Sequence, residues 1–83
     1  MTKEFIIEKL SEIFEEEFEI SADLIKPTAN MHETLELDSL DYVDLVVLIE
    51  KYFQVKLKGE DFKEIQTFNH LYEVVYKKTL QLN

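Results

Sequence analysis

The chain has no cysteine, no tryptophan and no arginine, and its 83 residues include one glycine and one proline. Without cysteine there is no disulfide, no thiolate metal site and no cysteine nucleophile, a composition compatible with an intracellular setting. A single glycine rules out both G-x-x-x-x-G-K and G-x-G-x-x-G, the loops that cradle phosphates. It also leaves little turn chemistry for a many-stranded sheet. No apolar run is long enough to span a bilayer, and the N-terminal M-T-K-E-F-I-I-E-K lacks the apolar region of a secretory signal. The sequence therefore reads as a soluble, unprocessed chain with no membrane span. Basic residues are scarce as well: nine lysines face 18 acids, for a net charge of −9. Binding to nucleic acid is not expected, because phosphate contacts need Lys or Arg. At this length the expectation is one domain, residues 1–83, with a modest core and no deep cleft between lobes.

What the chain does have is Leu, Ile, Glu and Lys in abundance, which points to an all-helical fold. Its organising stretch is L-E-L-D-S-L-D-Y-V-D-L-V-V-L-I-E-K-Y-F, Leu35 to Phe53. Asp38 suits an N-cap, since its carboxylate can accept from the free backbone N–H groups of the first turn. Asp41 adds a second acid at the positive end of the helix dipole, in a pattern close to a capping box. At about 100° per residue, Tyr42, Leu45, Val46, Ile49 and Phe53 share one face, the expected core face. Leu40, Val43, Asp44, Val47 and Lys51 fall roughly opposite. Two readings of that second face stay open: scattered exposed apolar residues, common on any surface, or a partner-binding strip of apolar contacts flanked by acids. No lysine lies between Pro27 and Lys51, while Glu33, Glu36, Asp38, Asp41, Asp44 and Glu50 do. A surface of one sign steers basic partners, and it also serves plain solubility.

On either side the pattern is simpler. Thr2 can cap a first helix whose apolar face is Ile6, Leu10, Ile13, Phe14 and Phe18, ending near Phe18. Residues 20–37 read as a long connection in which Pro27 biases Lys26 away from helix. Ile25, Met31, Leu35 and Leu37 are its expected anchors. Val55 and Leu57 alternate with lysines in a short extended piece, and Gly59 permits a turn. Residues 60–65 suit one or two helical turns with Phe62 and Ile65 inward. Thr67 reads as the cap of a last helix with Phe68, Leu71, Tyr72 and Val75 inward, and the tail L-Q-L-N is expected to fray. The fold expected is a small four-helix bundle, three main helices plus one short, with the long loop between helices 1 and 2.

Few residues in the chain are arranged for chemistry. His32 and His70 are single and unpatterned, and read as surface residues rather than catalysts. A pair of working carboxylates would need a cleft to separate their pKa values. Asp38, Asp41 and Asp44 are spaced by three on a helix, unlike the alternate acids of a calcium loop, so no dedicated metal site is expected. Ser39 remains. On its own it is a residue well tolerated at a helix start. The unpaired N–H groups and positive potential there would nonetheless suit an attached phosphodiester, making the serine another enzyme's substrate.

At D-S-L, residues 38–40, the sequence closely resembles the acyl carrier protein family. The resemblance runs through the whole of Leu35–Phe53 and on to the Thr67-capped T-F-N-H-L-Y-E-V-V, nearly the full chain in order and spacing. It implies a bundle of the acyl-carrier type, with Ser39 as the attachment point of 4′-phosphopantetheine and Asp38 and Leu40 as its motif neighbours. It implies a non-catalytic, monomeric carrier in the cytoplasm, loaded by a phosphopantetheinyl transferase, whose arm holds acyl groups as thioesters. The implied partners are acyl-transfer, ketosynthase, reductase and dehydratase-type enzymes with basic patches, from fatty-acid or polyketide-type synthesis. The family's recognition helix falls on Leu40, Asp41, Asp44, Val47 and Glu50. Its acyl tail, held between helices, would fall among Leu45, Val46, Ile49, Phe62 and Leu71. Two positions depart from the pattern. The family commonly has Gly two residues before the Asp, where Glu36 stands here, so the loop must follow a path a side-chain-bearing residue allows. Lys51 replaces a common acid and implies a partner set unlike that of housekeeping fatty-acid synthesis. A peptidyl or aminoacyl carrier shares a D-S-L-like motif, and an unmodified helical interaction module is the alternative from a different class.

Overall fold

The computed structural model describes residues 2–81. Its helices are α1 (Lys3–Phe18), α2 (Met31–Leu35), α3 (Ser39–Phe53), α4 (Gly59–Glu64) and α5 (Phe68–Leu80), with one 3-10 turn at Ala22–Leu24. Each of the long helices starts on a polar side chain that accepts a backbone N–H otherwise left unpaired. Thr2 caps α1 through the Phe5 N–H, Asp38 caps α3 through that of Asp41, and Thr67 caps α5 through that of His70. These are the caps expected from residue type. The described part of the tail stays ordered: Leu80 ends α5 and Gln81 closes a turn onto it, while Leu82 and Asn83 lie outside the described residues.

The apolar faces meet in one core. Ile6, Leu10, Ile13 and Phe14 of α1 pack with Leu45, Ile49 and Phe53 of α3 and with Phe68, Leu71, Tyr72 and Val75 of α5. Phe14 and Phe68 meet edge to face with centroids 5.6 Å apart, the geometry aromatic quadrupoles favour. Val55, Leu57, Phe62 and Ile65 close the core from the segment between α3 and α5. Of the face expected inward on α3, Tyr42 and Val46 are only partly buried.

The connection between α1 and α3 is more regular than an eighteen-residue loop. Asn30 accepts from the Glu33 N–H and starts α2, whose Met31 and Leu35 drop into the core as the expected anchors. Ile25 and Leu37 are the lesser anchors, half-buried against it. The segment before α2 is tied to the start of α5: the Met31 N–H donates to the Gln66 carbonyl at 2.8 Å and the Asn69 N–H to Pro27 at 2.9 Å. These bonds satisfy backbone groups that a loop lying on the protein would otherwise leave unpaired. The expectation of a plain loop is corrected accordingly. The bundle carries two short helices, α2 and α4, beside its three long ones.

Glycine is missing where helices end. Glu19, Glu36 and Gln54, which close α1, α2 and α3, sit at φ 56°, 49° and 58°. That left-handed conformation is the usual C-terminal stop, and glycine is its usual occupant. Glu36 therefore takes the path a glycine would take, rather than one suited to its side chain. The chain's one glycine, Gly59, begins α4 and has no positive φ. The turn freedom expected there is not used.

Candidate functional site

The backbone enters α3 from an extended Asp38, φ −87° and ψ −177°, whose Oδ1 accepts from the Asp41 N–H at 2.9 Å. Ser39 is thus the first helical residue, and it is exposed. Its hydroxyl stands beside the free N–H groups of the first turn, at the positive end of a four-turn helix.

Ser39 also opens onto a groove of about 570 Å³ between α3 and α4. Tyr42, Val43, Val46 and Val47 form one wall, Leu57, Gly59, Phe62 and Lys63 the other, and His32 of α2 the end. Most of this lining is apolar. The acyl-lining set expected from resemblance needs correction here. Leu45, Ile49 and Leu71 are fully buried in the packed core. Only Val46 and Phe62 of that set reach the groove, because Val46 sits about 100° further round α3 than Leu45.

His32 is the residue sequence reasoning missed. It is half-buried rather than free at the surface, and all its polar capacity is used. Its Nδ1 lies 2.6 Å from the Tyr42 hydroxyl, and its Nε2 lies 3.1 Å from the Phe62 carbonyl and 2.9 Å from that of Ile65. The ring therefore joins α2, α3 and the end of α4. No local pattern announces this, since Tyr42 is ten residues away and the carbonyls thirty or more. His70 is exposed, as expected.

Burial raises the pKa of Tyr42 above the ordinary 10.0, and that of Tyr72 likewise, where a hydrogen bond with Ser11 partly opposes it. For both, the folded state holds its proton to higher pH than the unfolded chain. Their contribution to stability is then fully present below pH 10.0 and lost as the pH rises through the folded values. An absorbance titration of tyrosinate should show part of the signal developing above that pH, with stability falling over the same range.

The outer face of α3 is as open as its pattern suggested. Leu40, Val43 and Val47 are 76%, 58% and 55% exposed. Asp44 and Glu50 are exposed between them and Asp41 is half-buried. A second hollow of about 230 Å³, lined by Glu17, Phe18, Asp44, Val47 and Leu48, lies where this strip meets the end of α1. Glu50 approaches Lys56 at 3.9 Å, an exposed pair worth little. Among the described residues no group of three or more acids and histidines could hold a metal ion. No helix there is long and apolar enough to cross a membrane.

Comparison with known proteins decides what this arrangement belongs to. The sequence profile described as "Phosphopantetheine attachment site" matches residues 8–75. Acyl carrier protein 2 of Ralstonia nicotianae is 37% identical over 67 residues, 81% of this chain and 83% of that protein. The acyl carrier protein of Chlorobium phaeobacteroides is 33% identical over 94% of this chain and 100% of its own length.

The chain belongs to the acyl carrier protein family.

Its fold agrees: the crystal structure of an acyl carrier protein from Thermotoga maritima superimposes with a TM-score of 0.79 at 26% identity, covering 98% of this chain and 94% of that one. The cofactor of an acyl carrier protein is 4′-phosphopantetheine. The residues present fit that group. An exposed serine hydroxyl at a helix start can take a phosphodiester without displacing any packed side chain, and the positive end of the dipole favours the phosphate's charge.

Proposed function

We propose that Ser39 is the attachment site of 4′-phosphopantetheine and that the groove beside it shelters the acyl end of the cargo. One observation carries this reading: the exposed hydroxyl that begins α3 is also a lining residue of the apolar groove. When attached, the arm supplies a thiol on which acyl groups ride as thioesters, the reactive sulfur a cysteine-free chain lacks. The chain's own residues do the rest. Asp38 holds the first turn in place by its cap. The helix N-terminus offsets the phosphate's charge against the flanking acids, and Val43, Val46, Leu57 and Phe62 offer the cargo a surface out of water.

In this reading a phosphopantetheinyl transferase modifies Ser39. Acyl-transfer, ketosynthase, reductase and dehydratase-type enzymes then dock through basic patches on Leu40, Asp41, Asp44, Val47 and Glu50. The protein works as a single-domain monomer in the cytoplasm. Exposed Leu40, Val43 and Val47 among acids support the docking face, because such a strip pairs apolar contact with long-range steering. Reversing one charge at its centre, Asp44→Lys, should weaken binding to a basic transferase by about tenfold and steepen the loss at low salt. The Asp44 side chain is exposed and hydrogen-bonds to no other side chain among the described residues, so helical circular dichroism should not change. Unaltered affinity would remove the strip from the reading.

Incubation of the apo protein with coenzyme A, magnesium and a broad-specificity transferase tests the carrier role itself. Intact-protein mass spectrometry should show a gain of one phosphopantetheine. No gain from folded apo protein would overturn the proposal.

A further inference from the structure

Besides Ser39 at its mouth and Lys63 on the α4 wall, the groove holds one polar pair, His32 and Tyr42. The Nε2 of His32 faces two backbone carbonyls, of Phe62 and Ile65, at 3.1 and 2.9 Å. Carbonyl oxygens only accept, so Nε2 carries the proton and donates to them. In the neutral ring Nδ1 is then a bare acceptor, and the hydroxyl 2.6 Å away, that of Tyr42, must donate to it. The phenol has spent its only proton. Its oxygen keeps a lone pair with no other partner among the described residues, and both Tyr42 and His32 line the groove. The ring cannot easily turn away, since it stacks at tilted angles against both His32 and Phe62, with each centroid 5.5 Å away.

The position of this acceptor matters as much as its sense. Tyr42 follows Ser39 by one helical turn on the groove side, and Val46 follows Tyr42 by another. Moving along α3 away from the serine, the wall is polar first and apolar after. A cargo that matches it carries a hydrogen-bond donor close to the thioester and a hydrocarbon tail beyond.

Building on the reading of Ser39 and its groove, we propose that Tyr42, held by His32, is a specificity residue that favours 3-hydroxyacyl cargo over 3-oxoacyl and saturated cargo. A 3-hydroxyl can donate to the phenol oxygen. A 3-oxo group, which only accepts, meets a lone pair instead, and a saturated chain leaves the acceptor without a partner. The amide N–H groups of the arm and the Lys63 ammonium, which also lines the groove, are competing donors, and a comparison of cargoes on the same arm separates them from the cargo's own hydroxyl.

The test loads the full chain with octanoyl, 3-hydroxyoctanoyl or 3-oxooctanoyl phosphopantetheine from the matching coenzyme A thioesters. Shelter is read as the rate of thioester cleavage by neutral hydroxylamine, relative to the same thioester on free coenzyme A. The octanoyl form should be protected. The 3-hydroxyoctanoyl form should be protected about threefold to tenfold further, the worth of one hydrogen bond. The 3-oxo form, whose ketone itself condenses with hydroxylamine, is read instead by NMR of the Tyr42 ring and should leave the Tyr42 signals where the octanoyl form leaves them. Tyr42→Phe should erase the difference between hydroxylated and saturated cargo. Carbon NMR of the wild-type Tyr42 ring, which needs no variant, should report the hydroxylated cargo and not the saturated one. If the saturated chain is protected but the hydroxyl adds nothing, the arm's own donors hold the acceptor, and this inference alone falls. If the saturated chain reacts on the protein as fast as on coenzyme A, the groove takes no cargo and the underlying reading falls with it.

Discussion

Leu45→Ala should cost about 3 kcal/mol of folding stability, whereas Val47→Ala, two residues along the same helix, should stay within about 0.5 kcal/mol. Leu45 is 0% exposed and sits in the core cluster, so truncation removes its transfer energy and leaves a cavity that the packed core around it can only partly fill. Val47 is 55% exposed and gives up little contact with the protein. For a domain of this size each 1 kcal/mol moves the melting temperature by about 4–8 °C, so the Leu45 variant should melt more than about 10 °C lower. Urea unfolding of both variants decides it. Equal losses would mean that the two faces of α3 are not the inner and outer faces described. The contrast also bears on function: what α3 invests in Leu45 is the scaffold, and what it leaves exposed at Val47 is available to a partner.

The second large effect runs the other way. Glu19→Gly, Glu36→Gly and Gln54→Gly together should stabilise the protein by about 2–3 kcal/mol, close to 1 kcal/mol per site. A side chain in the left-handed region crowds its own backbone at a cost of about 1–2 kcal/mol. Part of that relief is returned through the greater freedom of glycine in the unfolded chain. The three residues are exposed, and their N–H groups bond different carbonyls, those of Phe14, His32 and Glu50, so the gains should add. Thermal unfolding of the single and triple variants checks both size and additivity. Destabilisation at Glu36 would show that its side chain, rather than its backbone, supports the turn before Asp38.

How much of this was legible beforehand depended on whether the deciding contact was local. Thr2, Asp38 and Thr67 announced three helix starts, because a cap is a bond between a side chain and a backbone three residues on. The core faces of α1 and α5 followed from helical spacing alone. The short α2 did not: its cap is an ordinary Asn30, and its stability comes from Met31 and Leu35 in the core and from bonds to Gln66. Helix ends were hidden for a related reason, since Glu19, Glu36 and Gln54 carry none of the glycine signal that marks a left-handed stop. In the site, the place of Ser39 was readable from Asp38. The groove was not, because it depends on how far α4 stands from α3. His32 was the least legible, as all of its partners come from distant segments.

Carriage of an acyl group by this chain depends on Ser39, and tandem mass spectrometry of the protein after transferase treatment, with Ser39→Ala treated alongside, tests that dependence most directly. The wild-type protein should carry one phosphopantetheine, found on the peptide containing Ser39, and the folded variant none. An arm on any other residue, or a variant that is still modified, would contradict attachment at Ser39.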